Sequence, residues 1–103
     1  MAKGYWIARV DVSDEDAYKG YIAANATALK KFGARFIVRG GPFDNPEGGA
    51  RARNVVLEFP SYEAALACYR SAEYADALAI RKAASQADVI IIGGYDGPQP
   101  GDR

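Results

Sequence analysis

The order of apolar patterns in this chain predicts an α+β fold, a ferredoxin-like βαββαβ domain with an antiparallel four-stranded sheet and its helices on one face. Two observations lead there. Strand-like runs of period 2 and helix-like runs of period 3.6 follow one another as strand, helix, strand, and then do so again, within 103 residues. The two halves meet at a Gly/Pro-rich connection that has turn chemistry throughout.

Tyr5 to Val12 alternates, with Trp6, Ala8, Val10 and Val12 on one side and Tyr5, Ile7, Arg9 and Asp11 on the other, as a half-buried strand requires. Ser13 stands where a helix N-cap is expected, and Asp14, Glu15 and Asp16 suit the positive end of a helix dipole. Tyr18, Ile22, Leu29 and Phe32 then recur at helical spacing up to Gly33. Arg35–Arg39 and Arg53–Phe59 are rich in β-branched and aromatic residues and read as a hairpin with a long loop. Pro60-Ser61 opens a second helix. Ser71 looks like another cap that restarts it, so a break is expected near Ser71. Val89 to Ile92 is a final apolar strand, and the domain is placed at 3–94, followed by a Gly/Pro-rich tail at 95–103.

A chain of this size buries roughly 65% of its unfolded surface, enough for one core. Thirteen basic and thirteen acidic residues cancel, whereas a domain built to neutralise phosphates normally carries a basic excess. No nucleic-acid or membrane partner is therefore expected. The sequence contains no histidine and a single cysteine, Cys68, which removes Ser-His and Cys-His catalysis and most zinc and haem ligation. Cys68 reads as a small buried hydrophobe, and no metal and no cofactor are expected. The first residues have no apolar run of signal-peptide type, so the expected location is cytoplasmic.

Strand phase assigns Trp6, Val10, Phe36, Val38, Val55, Leu57 and Phe59 to the helix side. It assigns Tyr5, Ile7, Ile37, Val56 and one side of Ile90 to Ile92 to an open face too apolar to leave in water. A homodimer joined through that face is the expected assembly. Arg9, Asp11, Arg39 and Glu58 share the open-face phase. There they form either an ion-pair network or a small-molecule site, and the sequence does not choose. In the site reading Arg39 and Arg9 hold an anionic group, and Glu58 or Asp11 accepts a proton with a pKa raised by apolar surroundings. Tyr18, Tyr21, Tyr69 and Tyr74 read as core rings with hydroxyls at the rim, and Tyr18 and Tyr69 are assigned to the ligand. Pro42 to Ala52 is expected to act as a flap over the sheet end.

The ordered set Lys3-Gly4-Tyr5-Trp6-Ile7, Phe36-Ile37-Val38-Arg39-Gly40-Gly41, Glu47-Gly48, Arg53-Asn54-Val55-Val56-Leu57-Glu58-Phe59-Pro60-Ser61 and Cys68-Tyr69-Arg70-Ser71-Ala72-Glu73-Tyr74 resembles the DUF1330 family. The resemblance covers about residues 3 to 94. It implies the dimeric α-β barrel superfamily, which also contains cofactor-free monooxygenases, muconolactone isomerases and haem-dependent dismutases. It carries over no catalytic motif, since the family is itself of unknown function. Two functions stay open: a homodimeric binding protein, or a cofactor-independent enzyme, for a small acidic or aromatic compound; and a non-catalytic structural or interaction module. Whether the chain is an enzyme is not written in the sequence.

Overall fold

In the computed structural model, which describes residues 2–102, strand β1 (Gly4–Val12) runs into helix α1 (Glu15–Lys31). Strands β2 (Arg35–Arg39) and β3 (Arg53–Phe59) follow, then helices α2 (Tyr62–Tyr69) and α3 (Ala72–Ala84), and finally strand β4 (Ser85–Gly93). The sheet order is β2-β3-β1-β4 and every pairing is antiparallel. This is the expected α+β, ferredoxin-like arrangement, with the β3 side of the sheet ending in β2 as an edge strand.

Alternation decides the faces. Trp6, Val10, Val55, Leu57 and Phe59 are buried beneath the helices with Tyr18, Tyr21, Leu29, Ala65, Cys68 and Tyr74. The opposite face carries Tyr5, Ile7, Val56, Ile90 and Ile92 in register across β3, β1 and β4, and Ile90 is 54% exposed there. No helix among the described residues is long and apolar enough to cross a membrane.

The helix after Phe59 breaks as the sequence predicts. Ser71 Oγ accepts from Tyr74 N at 3.2 Å and donates to Cys68 O at 2.7 Å, closing α2 and capping α3. The cap of α1 is Asp14 rather than Ser13. Asp14 Oδ1 accepts from Ala17 N at 3.1 Å, and both the Ser13 and Asp14 N–H groups donate to Ala84 O. The end of α3 thus fixes the corner one residue later than spacing alone suggests. β4 is also longer than the apolar run Val89 to Ile92. Ser85 Oγ donates to Arg81 O at 2.7 Å as the helix ends, and pairing with β1 draws Gln86, Ala87 and Asp88 into the ladder opposite Asp11, Val10 and Arg9.

The largest departure lies in β2. Arg35 and Phe36 pair with Glu58 and Leu57, but Val38 and Arg39 pair with Val56 and Val55, leaving Ile37 as the extra residue of a bulge. One inserted residue reverses a period-2 phase. Val38, expected beneath the helices, therefore shares the open-face phase of Val56, and Arg39, expected on the open face, turns to the helix side with Val55.

Gly4 and Gly20 separate two roles of glycine. A Cβ at Gly4 would collide with the backbone of Ser61 and Tyr62, whereas one at Gly20 on α1 meets nothing within 4 Å. Gly4→Ala should cost about 1–3 kcal/mol, as overpacking does. Gly20→Ala should gain about 0.5–1 kcal/mol from helix propensity. Urea denaturation of both variants measures the contrast.

Candidate functional site

Between the helix layer and the sheet lies a cavity of about 40 Å³. Its apolar wall is Trp6, Ala8, Val10, Val55, Leu57 and Val89, and its polar groups come from Tyr18, Tyr21, Asn25, Arg39, Arg53, Tyr74 and Arg81. Three arginines reach it from three elements. Arg81 comes from the last turn of α3 and is only 6% exposed. Arg53 enters from the start of β3, in the same phase as Val55. Arg39 enters from the end of β2, with its guanidinium 4.0 Å from the Phe36 ring centroid. None of the residues lining the cavity is acidic.

Arg53 is the least satisfied of the three. Its Nε is buried with no hydrogen-bond partner, and its guanidinium lies 5.8 Å from the Tyr18 ring centroid. The sequence reading missed Arg53 and Arg81. Arg53 was legible in the alternation that places Val55, Leu57 and Phe59, and Arg81 in its helical spacing from Tyr74, but an arginine with helix-side phase reads as solvated until the layer above it is known.

The tyrosines are tied together rather than free. Tyr21 and Tyr74 hydroxyls share a buried hydrogen bond of 2.8 Å. Burial pushes both the Tyr18 and the Tyr74 hydroxyl above the ordinary phenol range, and Tyr21 adds to the effect at each. Tyr69 does not line the cavity. It packs behind the wall, 5.6 Å from Trp6 and 5.4 Å from Tyr74 between ring centroids.

The other expected site residues lie on the open face and at the loop, and the structure does not bring Arg39 to Glu58. Glu58 Oε2 accepts from the Tyr5 hydroxyl at 3.1 Å, and Oε1 lies 3.8 Å from Arg35 Nε. Arg9 Nη2 donates to Gly49 O at 2.7 Å. Asp11 accepts from Ala52 N at 2.9 Å and from Arg51 Nη1 at 2.8 Å, while Arg51 Nε donates to Asp88 at 2.9 Å. The segment Pro42 to Ala52, read from sequence as a free flap, is thus tied down at its C-terminal end. Asp11 also departs from the raised pKa expected of a proton acceptor. The Ala52 N–H chiefly, with the Arg51 guanidinium, holds its carboxyl below the usual carboxylate range despite partial desolvation. No three His, Cys, Asp or Glu side chains among the described residues are grouped to hold a metal ion.

Comparison with known proteins places this geometry. The family model described as a domain of unknown function, DUF1330, matches residues 3–95, and the chain belongs to that family. A search of curated proteins gives no match. Solved structures with the same fold include a protein of unknown function from Rhodopseudomonas palustris, 16% identical, covering 93% of this chain and 85% of its own with a TM-score of 0.73. SnoaB, a cofactor-independent oxygenase from Streptomyces nogalater, is 10% identical, with 96% of each chain covered and a TM-score of 0.62. A conserved protein of unknown function from Bacteroides thetaiotaomicron is 18% identical, covering 89% of this chain and 97% of its own with a TM-score of 0.60.

Two outcomes follow from the titrating groups. Asp11 has a depressed folded-state pKa, so its contribution to stability is complete above the unfolded value of about 4 and is lost as pH falls through the folded value. Denaturation midpoints of Asp11→Ala should accordingly show a shallower fall below about pH 4 than those of the parent. Burial pushes the Cys68 thiol up to about 12, with Glu73 adding. Cys68 should resist iodoacetamide at neutral pH in the folded protein and react in urea, as mass spectrometry will register.

Proposed function

We propose that this member of the DUF1330 family is a homodimeric small-molecule-binding protein whose ligand, a small acidic or aromatic compound, is held at the cavity between helices and sheet. One observation carries the reading: a buried arginine Nε without a partner, in a cavity with two further arginines and no acid in its lining. An unpaired buried polar group costs about 1–3 kcal/mol, and such costs concentrate where a site needs the group. Arg39 and Tyr18 keep the ligand-binding role assigned from sequence, and Arg53 and Arg81 join them. Tyr69 supports the wall. Arg9, Asp11 and Glu58 serve the loop and sheet.

The lining also bounds the chemistry. It offers guanidinium and hydroxyl donors but no carboxylate, imidazole or thiol to take a proton. Such a set stabilises negative charge on a bound molecule. A reaction here would therefore rely on a group of the substrate itself to give up or take a proton; a protein that shares the fold is a cofactor-independent oxygenase.

The homodimer reading rests on the open face. Ile7, Val56, Ile90 and Ile92 share one phase across three strands, with Val38 beside them on β2, and a second copy of the same face is the economical cover for such a surface. Light scattering at micromolar concentration should give twice the 11.0 kDa chain mass, and Ile90→Asp should shift the protein toward monomer. A soluble monomeric parent retires this part.

For the ligand, a thermal-shift screen of metabolites is the direct test. A compound at a hundred times its Kd adds about 2.7 kcal/mol. Arg53→Met should abolish the shift and leave the empty protein no less stable than the parent, because it removes the orphaned donor while keeping the stem. Arg9→Met should retain the shift. A screen with no stabilising compound retires the binding reading.

A further inference from the structure

The cavity does not end at its inner wall. Val10, Tyr18, Ile22 and Arg53 also line a wider groove of about 410 Å³, completed by Val12, Glu15, Lys19 and Ala52. Arg53 is therefore the boundary between a small inner chamber and a larger outer one. Size separates what each can take. The inner volume of about 40 Å³ is well below the roughly 150 Å³ of an apolar cavity that admits a benzene ring. A single acid group or a few waters fit there, and a ring does not.

Hydrogen-bond inventory fixes the sign of what enters. Arg39, Arg53 and Arg81 are donors only. The Tyr21–Tyr74 pair holds two hydroxyl protons and uses one in its mutual bond, and among the lining residues only Asn25 supplies a side-chain carbonyl acceptor. Donors thus exceed acceptors, and the missing partner is an anionic oxygen. A guanidinium fork matches two coplanar oxygens. The apolar remainder of the wall makes a dianion such as phosphate expensive to desolvate, since that cost rises steeply with charge. In the outer groove Val10, Val12, Ile22 and Ala52 with the Tyr18 ring supply an apolar floor, while Glu15 and Lys19, four residues apart on α1, offset each other.

Resting on the small-molecule reading above, we infer that the ligand is a monocarboxylate bound acid-first, its carboxylate in the inner chamber against Arg53 and its apolar body in the groove over Ile22. Arg39 at the mouth and Arg81 at depth complete the positive surroundings of the carboxylate.

The test is a titration, by calorimetry and thermal shift, of a graded series from acetate through benzoate and phenylacetate to phenylbutyrate, each aromatic acid paired with its primary amide, and inorganic phosphate alongside. Acids with an apolar body should bind at least tenfold more tightly than their amides and than phosphate, and more tightly than acetate. Arg53→Met should weaken the acids at least tenfold and leave the amides unchanged, with Arg53→Lys intermediate because it keeps charge and loses the fork. Ile22→Ala should weaken phenylbutyrate more than acetate. Amides binding as well as acids would overturn the carboxylate assignment and leave the cavity reading intact, as would phosphate binding best or a series in which no acid binds although the metabolite screen yields another compound. If no compound of any kind binds, both readings fall together.

Discussion

Trp6 joins the sheet to everything that packs on it. From the middle of the helix face its indole meets Phe59 at 5.1 Å, Tyr69 at 5.6 Å and Tyr74 at 5.0 Å between centroids, and its Nε1 donates to Ala65 O at 2.9 Å. That bond satisfies a buried indole donor with a helical carbonyl, and it holds α2 at a fixed height above β1 and β3. Ala65 and Cys68 leave room for the approach, both fully buried. Tyr74 then passes the constraint to α1 through Tyr21. The same indole forms part of the inner wall of the cavity, so the chamber borders the buried aromatic cluster of the core.

From this follows a division of labour between the faces of the sheet. On the open face, acidic and basic side chains meet: Arg51 with Asp11 and Asp88, Arg35 with Glu58. On the helix side, Arg39, Arg53 and Arg81 meet no acid. A chain of zero net charge is thereby arranged with paired charges on the open face and three arginines, Arg81 buried, Arg53 half-buried and Arg39 at the exposed rim, on the helix side. Exposed pairs of the first kind contribute little each. Uncompensated cations of the second kind cost stability in the empty protein, which is why the interior rather than the charged surface is the place to look for a ligand.

The bulge at Ile37 links the two faces. Without it, one-to-one pairing would put Arg39 opposite Asn54 on the open face, and the mouth of the cavity would lack its third arginine. With it, Val38 takes the open-face place opposite Val56 that Ile37 would otherwise hold, and Arg39 moves opposite Val55 on the helix side. A single inserted residue thus makes one face more apolar and the other more basic.

The sequence by itself determined the element order, the two-layer α+β arrangement, the break at Ser71 and the phase of β1 and β3, because those depend on local periodicity and caps that each segment carries within itself. It also held the family resemblance across nearly the whole chain. The tertiary structure alone decided which arginines line the cavity. The stretch Arg35–Arg39 contains no glycine or proline to mark a bulge, so its phase was set by pairing with β3, and Arg39 could not be assigned from its own neighbours. Arg53 and Arg81, far apart in sequence, became a constellation only when the helix layer was laid over the sheet. Asp11, a reasonable proton acceptor by phase, was claimed by the loop's Arg51 and the Ala52 N–H. Period-2 reasoning holds only while one residue pairs with one, and electrostatic roles belong to neighbours that the chain brings together at long range.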